Sequence, residues 1–542
     1  MKKGFLLGIL LYFPLFIFSQ VAFQDLNYQN IYDFLDEMAN MGLISLNSSV
    51  KPYSREFIAN NLKEIRLHQD ILNNRQKKEL SFYLRDYNFE LSPGIDYSKE
   101  VPGFFKKQKN FGIPLSPLGF VYKDSLFRIF VRPIWGIKYY YRPDSSVYHR
   151  WGGAEILGYI GKHVGFYASL RDNHETKLMV TPDYFTRDEG AAWKGGGDYS
   201  EMRGGIAYSW NKGSISLQKD HFQWGDNYFG SNILSGRTPS FPYLQLHFQP
   251  VKWFEYTYIH GWLVSQVIDS SRTWHTSNTI REYYLQKYLA AAMLTFAPWN
   301  KLHISLGSSV VYSADYPNPA FLLPFLFSVD FRYHGDPFQS SCYGNNSQLF
   351  LNISSRQIRH LHLYGSIFID GFDWKTMTAS NLYNPISYKA GFRISDLLIP
   401  NFSLTGEYTL TNPWTYRDHV PTLTYTSNLY NLGSFLGDNS QDICVAVDYK
   451  PLRGLVFNLT AELQEHGQEA NAGTTDPSAV QRLTGLTWKS RVISASANYE
   501  FINNAYVFLA IISNESIGDK QYVIPYFYGN KTTLSGGFNI GF

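Results

Sequence analysis

Few residues in this chain are spaced for chemistry. His360 and His362 alternate along one short stretch, and Asp370 follows on the same stretch. Alternate histidines on one strand face can hold a metal when a third ligand comes close. Glu465 and His466 are adjacent, the nearest thing to a catalytic pair. Against this, GxSxG, HExxH, CxxC and a Gly-rich phosphate loop are all absent. The plainer reading is of polar residues lining a wet interior. The chain is therefore expected not to be an enzyme and to need no metal and no cofactor. Cys342 and Cys444 are too few for a disulfide framework or a cysteine metal cluster, though they could pair in an oxidising compartment.

Another chemistry suits the aromatic, polar segments at 174–199, 266–281, 314–343, 373–385 and 412–439. Most are rich in Tyr, Trp, Asn, Asp, Ser and Thr. Aromatic faces can lie against sugar rings while polar groups meet the hydroxyls. Trp193, Trp274, Trp414, Tyr416, Arg417 and Tyr425 are the candidates for binding a polysaccharide. The same composition also serves any solvated loop.

Those loops need a scaffold, and the rest of the chain reads as one. The last eleven residues, Thr532 to Phe542, place Leu534, Phe538, Ile540 and Phe542 on one face of an extended strand, with no charge on either face. Such an edge is a liability unless it closes a barrel with its apolar face in lipid. The alternation begins at Leu126. Phe127, Ile129, Val131, Trp135, Ile137, Tyr139 and Tyr141 share one face, with Arg128, Arg132 and Lys138 on the other. These three cations, with Glu407 further on, are expected to line the lumen. The pattern repeats in runs of about 10 residues, the length of a tilted transmembrane strand. The runs total an odd number, whereas single-chain barrels have an even one. One is therefore split, merged or missed, and 520–528 is a possible addition.

Bulk composition agrees. Aromatics are 17% of 542 residues and charged residues also 17%, yet mean hydropathy is only -0.24. A membrane barrel has this profile because only alternate residues meet lipid. The net charge is +3 without a basic stripe, which excludes nucleic acid as a partner.

Residues 1–20 carry two lysines before an apolar stretch and read as a secretory signal peptide. Residues 21–92 switch to helical period. Ile31, Phe34, Leu35 and Met38 make one face, Ser54 can cap a second helix, and Asn73 with Gln76 forms a capping pattern for a third. This bundle is too small to stand alone and must dock on something. Residues 93–125 form a proline-rich linker or plug segment, and 126–542 form the barrel.

Several stretches resemble the Wzi-type capsule assembly proteins of bacterial outer membranes. They are Ile31 to Leu62, Phe222 to Phe248, the RHLHLYGSIFIDGF run from Arg359, and Gly406 to Asp442. In the last, Glu407-Tyr408, Pro413, Tyr416, Gly433 and Gly437 fall in that family's arrangement. The resemblance implies an all-β fold with a small α part: a transmembrane antiparallel barrel of roughly 18 strands with a periplasmic helical bundle at its mouth. It further implies a lectin-like role in attaching or organising capsular or surface polysaccharide. Its partners would be that glycan, outer-membrane lipid and the outer-membrane assembly machinery, and it would reside in the outer membrane of a diderm bacterium. One departure is Ser308, where the family pattern has Glu. The charged lumen face leaves a second reading open, a channel with a helical plug. A structural part of a surface secretion or gliding machine is a third.

Overall fold

The computed structural model describes residues 20–91, 110–180, 185, 187–191, 197–276, 279–323, 342–371, 384–397, 399–469 and 481–541. Residues 1–19 of the expected signal segment, about half of the expected linker, Trp193 and Phe542 lie outside them.

Eighteen antiparallel strands close into one barrel. In chain order they are β1 Phe127–Arg142, β2 Ser145–Ile160, β3 Val164–Glu175, β4 Asp198–Trp210, β5 Gly213–Asp220 and β6 Phe241–Val251. Then come β7 Phe254–Leu263, β8 Lys287–Trp299, β9 Leu302–Ala314, β10 Cys342–Ser355, β11 Leu361–Asp370 and β12 Ile386–Ser395. Last are β13 Phe402–Thr411, β14 Ser440–Leu452, β15 Leu455–His466, β16 Trp488–Ile502, β17 Ala505–Gly518 and β18 Gly529–Ile540. The seam joins β18 to β1, from Leu534 opposite Tyr141 to Ile540 opposite Trp135. The final strand thus finds the partner its uncharged edge requires.

Along each wall the outward side chains are apolar and exposed: Trp135, Tyr139 and Tyr141 on β1, Met202 and Ile206 on β4, Leu509 and Ile511 on β17. In water so continuous an apolar surface would aggregate; around a closed barrel it is the surface that meets hydrocarbon. No helix among the described residues is long and apolar enough to cross a membrane.

The odd strand count has a simple cause. Residues 480–489 and 493–501 look like two strands, but of the described residues in the first only Trp488 and Lys489 are strand, and they open β16, which runs unbroken through Ser490 to Val492. Residues 520–528 are two short 3-10 turns, not a strand. Merging the pair moves the long segment 467–487 to the same rim as the other long loops. The opposite rim has only short connections, such as 211–212, 252–253 and 503–504. In outer-membrane barrels the short-turn rim is periplasmic.

At the short-turn rim sit four helices: α1 Gln29–Asn40, α2 Arg55–Leu67, α3 Asn74–Asp86 and α4 Asn88–Leu91. Ser54 caps α2 by accepting from the Phe57 N–H, and Asn73 and Gln76 form the full capping box on α3. Gly42 has φ 84°, the left-handed backbone that follows a helix end. The inner faces of the helices (Ile31, Phe34, Leu35, Met38, Ile58, Leu62, Leu80, Tyr83) form one core, which Tyr506 of the barrel wall completes. The helices dock on several of the short turns. Asn40 reaches Ser395, Arg75 reaches Asn401 at 2.7 Å, and Lys301 donates to the Gly42 carbonyl.

Candidate functional site

The lumen is filled from both rims. From the short-turn side, the chain before α2 rises inward; from the long-loop side, residues 221–240 descend. They meet as a two-stranded sheet, with Val50 opposite Trp224 and Lys51 opposite Gln223. Around this junction charges are buried but paired, as burial demands. Arg356 bonds Asp36, Ser48 at 2.9 Å and Asn40 at 2.9 Å. Asp226 accepts from Ser48 and from Asn352, and Tyr228 donates to Asp36.

The four lumen residues expected from the sequence face inward, but they contact protein. Arg132 pairs with Asp86 at 2.7 Å, and Arg128 donates to the Phe89 carbonyl and to Gln20. Both dock the end of the helical segment. Lys138 stands 5.1 Å over the Tyr140 ring. Glu407 accepts from the backbone N–H groups of Tyr228 and Phe229, from the Tyr364 hydroxyl and from Lys389 at 2.7 Å. It pins the tip of the descending loop to the wall. The wet lumen expected from the charged faces is thus a packed polar interior.

The binding candidates divide. Tyr416 and Tyr425 are 1% and 0% exposed, and Trp414 is 1%. Tyr416 donates to the Asn232 carbonyl at 2.6 Å, Tyr425 donates to that of Ile233, and both rings pack on Phe368. Their ring faces are occupied, so they hold loop 412–439 on loop 221–240 and offer no face to a sugar. Trp414 and Tyr416 take φ values of 67° and 73°, a costly backbone that the surrounding packing must enforce. Arg417 is partly exposed and bridges Asp438 at 2.7 Å and Glu469 at 2.9 Å, joining two long loops. Trp274 alone among the described candidates presents an open aromatic face, 46% exposed.

Trp274 stands on a small hairpin, Trp274–His275 against Ile280–Arg281, within the loop 264–286. Tyr283, Tyr284 and, on the neighbouring loop, Tyr316 are also exposed. Arg281 lies 5.5 Å over the Tyr283 ring, and Arg272 pairs with Asp315 across the two loops. Sequence reading had Trp274 but missed these tyrosines, because only the hairpin brings them beside it.

The metal and catalytic alternatives for the histidines fail on geometry. His360 is in the turn before β11, with φ 67°, and His362 faces Ser354 and Tyr228. Asp370 ends the same strand, about 26 Å away at ~3.3 Å per residue. Glu465 and His466 point to opposite faces, Glu465 to Lys489 outside and His466 to the Phe185 ring inside. Cys444 is a free buried thiol. One group that the sequence did not suggest does converge: Glu189, Glu201 and His221. Burial alone would lower His221, but the carboxylates of Glu189 and Glu201 outweigh it and hold it up at about 9. Their positions, on loop, strand and loop, leave no spacing signature.

No protein-family model matches the sequence, and no curated protein matches it. The fold does have solved counterparts. One is Wzi of Escherichia coli, described as an outer-membrane protein involved in group 1 capsule assembly and as a carbohydrate-binding β-barrel. It is 12% identical over 97% of this chain and 100% of its own, with a TM-score of 0.56. OccD3 (OpdP) and OprD of Pseudomonas aeruginosa cover 76% of this chain and 90% and 94% of their own. They are 11% and 10% identical, each with a TM-score of 0.40. At such identities the likeness is one of architecture: the chain is a closed eighteen-strand barrel of the outer-membrane type, similar to Wzi along nearly its whole length.

Proposed function

We propose that this protein binds surface polysaccharide at its long-loop rim and helps attach or organise it on the cell, without catalysing a reaction. The observation that carries the reading is the pairing of a sealed lumen with an open aromatic hairpin. Among the described residues the interior is occupied by ion pairs and by a sheet made from both rims, which favours a closed barrel over an open channel. Among the described residues of that rim, Trp274, Tyr283, Tyr284 and Tyr316 are exposed aromatics, flanked by Arg272 and Arg281. Flat rings between flexible cations suit the apolar faces of sugar rings and the acidic groups of a capsular glycan. The carbohydrate binding described for Wzi, which shares the fold, favours the same chemistry.

The residues proposed for contact are Trp274, Tyr283, Tyr284 and Tyr316, with Arg417 as a clasp that sets loop positions. Outer-membrane lipid surrounds the apolar belt, and insertion by the outer-membrane assembly machinery follows from the barrel class. The test compares cell-attached with released polysaccharide in a deletion strain, together with binding of the purified protein to that polysaccharide. Unchanged attachment and no measurable binding would overturn the proposal.

A further inference from the structure

The group Glu189, Glu201 and His221 is arranged as ligands are. Each of the three spends one polar atom on an outer partner and turns the other to a common point. His221 Nδ1 lies 3.0 Å from the Gly236 carbonyl oxygen. A carbonyl only accepts, so Nδ1 donates to it, and Nε2 faces the carboxylates, where a metal ion would take the place of the proton it shares with Glu201. Glu201 Oε2 accepts from Arg171 at 2.6 Å, which leaves Oε1 at 2.7 Å from His221 Nε2. Glu189 Oε1 accepts from the Asn27 amide at 3.1 Å, and its Oε2 stands 3.6 Å from the same Nε2 and 3.9 Å from the Arg171 guanidinium. The three inward atoms lie within 4.8 Å of one another. Outer-shell bonds that fix the tautomer and aim each carboxylate are what orient first-shell ligands around a metal ion.

We propose that Glu189, Glu201 and His221 form a binding site for a divalent transition-metal ion, of the zinc class that one imidazole and two carboxylates suit. The ion would join loop 187–191, the wall strand β4 and the start of loop 221–240. Through Asn27 it would also join the N-terminal segment. Its role is a clip that holds the descending loops on the plug. The inference does not depend on what the long-loop rim binds.

The experiment uses the full-length protein in detergent, stripped with a chelator and titrated with Zn2+ by calorimetry, with thermal unfolding as a second readout. One equivalent of Zn2+ is expected, with an affinity that drops at least tenfold in Glu189→Gln and in His221→Gln. The melting temperature of the wild type should rise by several degrees on adding Zn2+, and that of both variants should not. Should His221→Gln fail to fold, Glu189→Gln, on a loop, still decides. Stoichiometry well below one, or Zn2+ binding unchanged in Glu189→Gln, overturns the site. In that case the cluster is an ion-pair triad neutralised by protons.

Discussion

The backbone N–H of Gly225 donates to the carbonyl of Ser49 at 2.8 Å, inside the barrel. Gly225 belongs to a loop that descends from the long-loop rim, and Ser49 to a segment that rises from the short-turn rim. Gly225 has φ 93°, so the turn that delivers this N–H favours glycine. The contact makes the plug a joint product of both ends of the barrel. Either piece removed would leave the other with unpaired backbone groups.

A sealed barrel should be electrically silent. In planar bilayers the full-length protein is expected to give no stable conductance steps. Regular openings of the size seen for porin-type channels would contradict the packed interior and revive the channel reading.

Arg356 holds the junction. Arg356→Met removes the partner of Asp36 and leaves that carboxylate buried beside the Tyr228 hydroxyl. Losing one member of a buried pair costs about 3–5 kcal/mol. The expected result is a lower urea midpoint and faster proteolysis within residues 20–91. Unchanged proteolysis would show that the helical segment docks without this ion pair.

Trp274→Ala should weaken binding of the host's surface polysaccharide on the order of tenfold, about 1.4 kcal/mol, with folding intact. Tyr425→Phe should leave that affinity alone. Its hydroxyl bonds inside the protein, to the Ile233 carbonyl among others, so the cost is about 1 kcal/mol of stability. Equal losses of binding in both variants would place the glycan somewhere other than the hairpin.

The helical segment should grip less well as pH rises from about 4 to 7. Burial holds Glu79 up at about 7, from 4.5, and Asp396 up at about 6, from 3.8, with Glu37 adding to both shifts. Arg75 and Lys450 oppose the shift at Glu79, and they outweigh burial at Glu37, which stays near 2 and does not titrate in this window. Well below the unfolded values of 3.8 and 4.5 both states are protonated and nothing is lost. Between the unfolded and folded pKa values the undocked chain ionises first, so stability drains away, and above pH 7 the full loss is reached. Urea midpoints measured from pH 4.5 to 7.5 should fall, and Glu79→Gln should flatten the slope. A rising profile would contradict the assignment.

The seam offers the last prediction. A Cβ on Gly537 would sit 2.0 Å from the Ile137 carbonyl oxygen. Gly537→Val is therefore expected to open β18 from β1 and to lower the fraction of folded barrel, seen as a loss of the heat-sensitive fast band in gel electrophoresis. Removing 538–542 should likewise impair insertion and leave polysaccharide affinity of the surviving barrels unchanged. Normal membrane levels of either variant would contradict a closure that depends on this strand.

Much of this was legible in the chain. Period-two alternation with Trp135, Tyr139 and Tyr141 on one face and Arg132 on the other determines a two-sided wall, because successive residues of a strand face opposite ways. Ser54, Asn73 and Gln76 mark helix starts because caps are local chemistry. What only the tertiary structure decided is non-local. Residues 480–489 and 493–501 do not make two strands: Trp488 and Lys489 already pair as the start of β16, and partners on both sides continue through Ser490 to Val492, which no local pattern reports. Tyr416 and Tyr425 have the composition of a sugar site, yet two loops fold over them and turn them into core. Glu189, Glu201 and His221 carry no motif at all. They meet because barrel closure brings loop, wall and loop to one point, and closure is a property of all eighteen strands together.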